Sequence, residues 1–272
     1  MTITLNVPYG PNTAIQVADL YIANPGSSFC FLMIHGGGMV GGDKSFDASY
    51  NNGIRLYGEG YNVVMMNYRL ANPVYITGQR YPQPNVNNAW PAPLIDVQLA
   101  VRWLRAVKNF RQVISWGDSA GATLSVLLAC HNNIVPNPYN LYRNVSPKVD
   151  ASIAHSTMSN FVAVYTDYHP DNTDYAGPKT SFNTNNEQTY AISSIVTNAA
   201  GDTSPVAFSH GTQDNTILYD QAIQMKNILS ACGVAYNFQS YNGGHVFAGL
   251  TMAARTAICE NAENWVFRRL GI

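Results

Sequence analysis

Gly117-Asp118-Ser119-Ala120-Gly121 is the stretch on which the reading of this chain turns. It has the form G-x-S-x-G. Upstream, Gln112–Trp116 is a short run of strand character; downstream, Ala122–His131 is compact, apolar and helical. A serine between a strand and a helix in this frame sits on a tight, strained turn. Gly117 and Gly121 leave room where larger side chains would meet neighbouring backbone. Alone the pentapeptide is a modest signal. With 21 glycines in 272 residues, two glycines framing a serine arise by chance in about one such chain in ten. The strand before it and the helix after it add weight, because the helix N-terminus brings positive dipole to a developing oxyanion.

Outward from this turn the chain alternates strand-like and helix-like segments. Strands are expected at Thr2–Val7, Ile15–Ile22, Cys30–Ile34, Asn62–Asn67, Ala151–Ala154, Pro205–Phe208 and Tyr236–Ser240. Helices are expected in the stretch up to Gly60, over Pro93–Phe110 and Asp220–Cys232, and at the C-terminus to about Arg269. Asn62–Asn67, with Val63, Val64, Met65 and Met66 in succession, suits a strand buried on both faces. The pattern predicts an α/β fold with a mostly parallel central sheet and helices on both faces, in which sites lie at the carboxyl ends of the strands. We expect one domain over 1–272. Residues 71–92 read as a long loop rich in Pro, Asn and Tyr, and about 158–202 as a polar, lid-like insertion without clear periodicity.

Three more motifs follow expected strands. His35-Gly36-Gly37-Gly38 comes after Cys30–Ile34. Its consecutive glycines can turn backbone N–H groups into a cavity and, with the N–H of Ala120, build an oxyanion hole. His35 is read as orienting that loop. Gly211-Thr212-Gln213-Asp214 and Gly243-Gly244-His245 follow the last two strands. The order Ser119, Asp214, His245 is that of a hydrolase sheet. His245 would deprotonate Ser119 and later protonate the leaving alcohol, while Asp214 holds the imidazole and stabilises its cation. Asp202 and Asp220 are rivals for the acid, but neither ends a strand. His210 reads as a packed or hydrogen-bonding group. His155 could approach the pocket, His131 and His169 read as surface residues, and Asp118 should point away from Ser119 with a role in the turn.

Composition narrows the partners. Net charge is −1, only 11% of residues are charged, and no basic stripe occurs, which argues against nucleic acid. The polar but weakly charged composition leans towards an extracellular or virion-associated setting. Met1-Thr2-Ile3-Thr4-Leu5 lacks the basic and apolar regions of a secretory signal, and no window of about 18 apolar residues exists. Cys30, Cys130, Cys232 and Cys259 lack metal-ligand spacing, and neither a metal nor a cofactor is expected. The sequence leaves open whether they are four buried free thiols or include a Cys232–Cys259 bridge.

Taken together these residues resemble the hormone-sensitive-lipase-like family of α/β hydrolases, in particular its small bacterial esterases and their feruloyl and acetyl esterase relatives. The resemblance rests on His35–Gly38, Gly117–Gly121, Asn67-Tyr68-Arg69-Leu70, Asp96-Val97, Asp214 and Gly244-His245, and spans roughly 28–270. It implies cofactor-free hydrolysis of short acyl esters, acetyl or feruloyl groups on carbohydrate among them, through an acyl-enzyme on Ser119. Gly37, Gly38 and Ala120 would donate to the oxyanion. An arylformamidase-type amide hydrolase and a non-catalytic ligand-binding member of the fold are the alternatives. Three departures bear on pocket shape. The first strand begins at once, without the family's N-terminal cap, so any lid comes from 71–92 or 158–202. Met39 stands where an aromatic residue is common, and Ala122 where glycine is.

Overall fold

A computed structural model describes residues 1–45, 48–71, 88–130, 135–163 and 187–272. The strands are β1 (Thr2–Pro8), β2 (Val17–Ile22), β3 (Phe29–Ile34), β4 (Val63–Met66), β5 (Gln112–Asp118), β6 (Ala151–His155), β7 (Val206–Gly211) and β8 (Tyr236–Tyr241). They form one eight-stranded sheet in the order β1-β2-β4-β3-β5-β6-β7-β8. β2 runs antiparallel to both of its neighbours, and every pairing from β4 through β8 is parallel. The helices that pack on it are α1 (Ala48–Gly58), α2 (Ala92–Ala106), α3 (Ala120–Ala129), α4 (Glu187–Ser193), α5 (Ile195–Asn198), α6 (Asp220–Ala231) and α7 (Met252–Leu270). The mostly parallel sheet with its helices is what the alternating pattern predicts, and the arrangement is the α/β-hydrolase one that the resemblance implies.

Strand periodicity divides the core in two. Phe31 and Met33 of β3 point to one face, where they join Met65, Ile114 and Trp116 with Leu56 of α1 and Ile258 and Val266 of α7. Cys30, Leu32 and Ile34 point to the other, with Val64, Met66, Leu94 of α2, Leu124 of α3 and Met225 of α6. β3 and β4 are buried on both faces, hence their unbroken apolar sequence. β1 is the exposed edge. The two-faced core also answers the cysteine question. All four thiols are free. Cys232 packs against the α2/α3/α6 face, partly exposed, whereas Cys259 lies inside the α1/α7 face, so the sheet separates them.

The parallel register aligns the carboxyl ends of the central strands. Ile34 lies opposite Gly117, Asp118 opposite His155, His155 opposite Ser209, and Gly211 opposite Tyr241. Every motif singled out in the sequence therefore leaves the sheet along one edge.

The 158–202 stretch is less uniform than its polar composition suggests. Its described ends are docked: Phe161, Tyr190 and Ile195 are buried in the α2/α3/α6 face, and 187–202 contains α4 and α5. The covering role expected of 72–87 and 164–186 lies outside the described residues, as do His131 and His169. Among the described residues no helix is long and apolar enough to cross a membrane.

Candidate active site

Ser119 stands between β5 and α3 with φ 56° and ψ −119°. A non-glycine residue at positive φ is strained and persists only where its surroundings over-determine it. Here the backbone is locked from both sides. The Ser119 N–H donates to the His155 carbonyl at 2.9 Å, and the Thr123 N–H donates to the Ser119 carbonyl at 3.1 Å. A Cβ on Gly117 would stand 2.1 Å from the Gly121 carbonyl oxygen, and one on Gly121 would stand 2.0 Å from that of Ile34. Both glycines are thus demanded by space. Asp118 turns to the opposite face, buried, where its Oδ2 accepts from Ser49 Oγ at 2.6 Å. That matches the turn role expected of it.

The three residues expected to act together lie in a chain of hydrogen bonds. His245 Nε2 is 2.9 Å from Ser119 Oγ, and His245 Nδ1 is 2.8 Å from Asp214 Oδ2. Asp214 Oδ1 accepts the backbone N–H groups of Thr216 and Ile217, each at 2.9 Å. Burial pushes the Asp214 carboxyl up. The bonds from His210, His245 and the Ile217 N–H outweigh it and hold the group well below the usual carboxylate range. An ionised carboxylate only accepts, so the His245 proton sits on Nδ1 and Nε2 faces Ser119 Oγ as an acceptor.

His245 is carried on a strained turn whose support the sequence reading missed. Val246 adopts φ 44° and ψ 60°, and Phe247 φ 66°. For a β-branched residue that backbone is a marked outlier. Two side chains from elsewhere hold it. Ser156 Oγ, just past β6, accepts the Val246 N–H at 3.0 Å. The Tyr241 hydroxyl, at the end of β8, accepts the Phe247 N–H at 2.9 Å and donates to the Gly244 carbonyl at 3.2 Å. Ser156 is itself at φ 57°. No short motif marks either residue; the only sequence signal is their place at strand ends.

The glycine loop after β3 turns sharply. Gly37 and Gly38 have φ of 100° and 62°, and Met39 follows at 62°. The Gly37 carbonyl is engaged by the N–H groups of Val40 at 3.0 Å and Gly41 at 2.9 Å. Ala120 opens α3, so its N–H has no acceptor within the helix. The absent Gly121 side chain lets the first turn of α3 approach Ile34 and His35, the root of this loop. His35 is buried. Its Nδ1 lies 2.7 Å from the Gly36 carbonyl, and its ring stacks on Tyr68 at 4.3 Å, whose hydroxyl donates to the His35 carbonyl at 2.9 Å. This histidine braces the loop and takes no place in the hydrogen-bond chain.

The next residue of the Asn67-Tyr68-Arg69-Leu70 run, Arg69, is anchored to α2. The Arg69 guanidinium meets the wholly buried Asp96 through Nε at 2.9 Å and a terminal nitrogen at 2.7 Å, and Gln16 donates to the same carboxylate at 2.6 Å. The rival acids lie apart: Asp202 pairs with Lys148, and Asp220 accepts from Gln224 at 2.6 Å. His155 is fully buried beneath the sheet end, its Nδ1 2.7 Å from Ser209 Oγ, and does not enter the site. His210, read as a packed or hydrogen-bonding group, is buried in β7, with Nε2 2.8 Å from the Ile217 carbonyl oxygen and 3.3 Å from Asp214 Oδ2. Among the described residues no group of His, Cys, Asp and Glu is arranged to hold a metal ion.

Comparison with known proteins supports the fold. A family model described as BD-FAE matches residues 19–229. No curated protein sequence matches the chain. Among solved structures, a truncated form of a carbohydrate esterase from gut microbiota superposes with a TM-score of 0.76 at 18% identity, covering 98% of this chain and 96% of that one. An acetyl ester-xyloside bifunctional hydrolase from Caldicellulosiruptor lactoaceticus gives 0.73 at 19% identity, covering 99% and 96%. A thermophilic esterase from the Planctomycetes species Thermogutta terrifontis, with butyrate bound, gives 0.71 at 18% identity, covering 99% and 94%. At these identities the likeness is one of fold.

Proposed function

The chain belongs to the BD-FAE family, and on that premise we propose that it is a serine carboxylesterase, one hydrolase domain with Ser119 as nucleophile, His245 as base and Asp214 as orienting acid. The observation that carries this is the unbroken chain from Ser119 Oγ through His245 to Asp214, at 2.9 and 2.8 Å.

The steps follow from the tautomer. His245 Nε2 takes the Ser119 hydroxyl proton as Oγ attacks the acyl carbonyl carbon. The imidazolium so formed faces the Asp214 carboxylate, which stabilises it without being protonated. Charge develops on the carbonyl oxygen, and the N–H groups of Gly37, Gly38 and Ala120 receive it; removing one donor of this kind lowers kcat about a hundred- to a thousand-fold. The tetrahedral species collapses, the C–O bond to the alcohol breaks, and His245 Nε2 protonates the departing oxygen. Water then repeats the sequence on the acyl-enzyme and releases the acid.

The substrates we assign are short acyl esters, acetyl groups on carbohydrate foremost. Two of the similar structures are named for carbohydrate or acetyl ester hydrolysis, and a third holds butyrate. The insertion of 158–202 starts beside the nucleophile. Met158 is bonded through its N–H and its carbonyl to the hydroxyl of Thr123, one turn past Ser119, each at 3.1 Å. We propose that residues 158–163, which begin this stretch, border the site and bear on the choice of the alcohol portion.

Turnover of p-nitrophenyl acetate, butyrate and octanoate by wild type and Ser119→Ala tests the reading. Wild type should favour the short chains, and the variant should lose about six orders of magnitude in kcat. Absence of nitrophenol release by wild type, or an equally active variant, overturns it. Hydrolysis of aryl formamides in preference to every ester would move the assignment to amide chemistry.

A further inference from the structure

Two histidines converge on one oxygen of Asp214. His245 Nδ1 lies 2.8 Å from Oδ2, and His210 Nε2 lies 3.3 Å from the same atom. His210 Nε2 is also 2.8 Å from the carbonyl oxygen of Ile217. A carbonyl only accepts, so Nε2 carries a proton, and that N–H is shared between Ile217 and Asp214. The ring has little freedom to do otherwise. It is wholly buried in β7, the Tyr219 ring meets it edge-on at 6.1 Å, and Nδ1 has no hydrogen-bond partner among the described residues. With Oδ1 taken by the Thr216 and Ile217 N–H groups, four donors fill the acceptor capacity of the carboxylate.

We propose that His210 is a positioning residue for the reacting groups: its N–H fixes the carboxylate oxygen of Asp214 that His245 Nδ1 must face. This rests on the reading of Ser119, Asp214 and His245 given above. The carboxylate sits on a turn three residues past the end of β7, and rotation about its last side-chain bond would exchange the oxygens. The Thr216 and Ile217 N–H groups hold one oxygen, and His210 holds the other at the point where the imidazolium forms. A pre-set acceptor needs no reorganisation at that moment. The second donor also draws charge from Oδ2.

The other groups around this pair are few. Tyr241 from β8 feels the Asp214 and Asp118 carboxylates, Tyr219 precedes α6, and Ser119 lies beyond His245. Among the described residues the ion pairs of Asp214 are with these two histidines. His155 and Ser209 turn to the opposite face of the sheet.

Removing the donor leaves more charge on Oδ2, strengthens its hold on the His245 cation, and makes His245 the stronger base. Only neutral His245 can deprotonate Ser119, so the acid limb of activity moves to higher pH. In His210→Phe the acid limb of kcat/KM should rise by about half to one pH unit, with kcat down about ten-fold and KM within about two-fold. In His210→Gln the side-chain nitrogen stands as many bonds from Cα as Nε2 does, and the limb should return towards wild type. A residue that merely fills space would lower the melting temperature and leave the limb where it was; that result, in a folded His210→Phe, overturns the proposal.

Nitrogen-15 NMR of the histidine rings separates this from the ester reading. If wild type hydrolyses no ester, the His245 titration in wild type and His210→Phe still decides. A shift upholds the role of His210 while the esterase assignment falls, and superimposable curves overturn it. Should His210→Phe not fold, the wild-type spectrum serves: His210 protonated on Nε2 with Nδ1 bare supports the proposal, and the opposite tautomer overturns it.

Discussion

The Cβ that Gly121 lacks would stand 2.0 Å from the carbonyl oxygen of Ile34. This relation ties the first turn of α3 to the end of β3, and so ties the nucleophile to the glycine loop. In Gly121→Ala two effects oppose each other. Alanine is favoured over glycine inside a helix by about 1 kcal/mol. The new methyl cannot fit against backbone unless α3 moves, and such overpacking costs about 1–3 kcal/mol, at the upper end where the obstacle is a carbonyl. The clash wins. Gly121→Ala should lower stability by about 2 kcal/mol in urea and reduce p-nitrophenyl acetate turnover about a hundred-fold. A variant as stable as wild type, as propensity alone would have it, sinks this account of the turn.

The turn that carries His245 makes a second prediction. Val246 and Phe247, both at positive φ, are held by Ser156 Oγ and the Tyr241 hydroxyl. Tyr241→Phe and Ser156→Ala each leave a backbone N–H in a site shielded from water, a loss of about 1–3 kcal/mol. Part of that loss should be met locally by the turn relaxing, because its backbone is strained and the rest of the sheet is not. We therefore expect kcat to fall about ten-fold in either variant with KM nearly unchanged. Steady-state kinetics at pH 8 would show it. A rise in KM with kcat intact would instead place these side chains against substrate.

These two supports were beyond the reach of sequence reading, whereas the residues they serve were not. Ser119, Asp214 and His245 are legible because each follows a strand, and the glycines around them leave a local signature. Ser156 and Val246 are 90 residues apart, and nothing in the local pattern of either announces the other. His210 shows the same limit. Its position at a strand end was plain, yet its partner depends on how the chain turns over Thr212–Ile217. The docked ends of 158–202 were hidden for a different reason. α4 and α5 are too short to establish a helical period, and their burial comes from packing on α3 and α6, so the polar composition dominated. The Cys232–Cys259 question needed the sheet itself, whose two faces separate the thiols.

The third prediction concerns stability against pH. His155 is wholly buried at the end of β6, between the rings of Trp116 at 5.5 Å and Phe247 at 4.7 Å. Desolvation pushes its imidazole down from the ordinary 6.5 to about 3. The Asp118 carboxylate, opposite it in β5, is taken up by Ser49. As pH falls below 6.5 the unfolded chain gains a proton that folded His155 refuses until about 3. The stability owed to a neutral ring is therefore complete above 6.5 and drains away on acidification, by about 1.4 kcal/mol per pH unit. Carboxylates add their own slopes, so the measurement is a difference. His155→Asn keeps a polar atom where Nδ1 meets Ser209 Oγ and removes the titration. Urea unfolding at intervals from pH 8 to pH 4.5 should show the variant less stable at neutral pH. The gap should then close by about 2–3 kcal/mol as acid erodes the wild type alone. Parallel curves for the two proteins would mean that His155 is protonated in the folded state as readily as in the unfolded chain, and that its burial carries no such penalty.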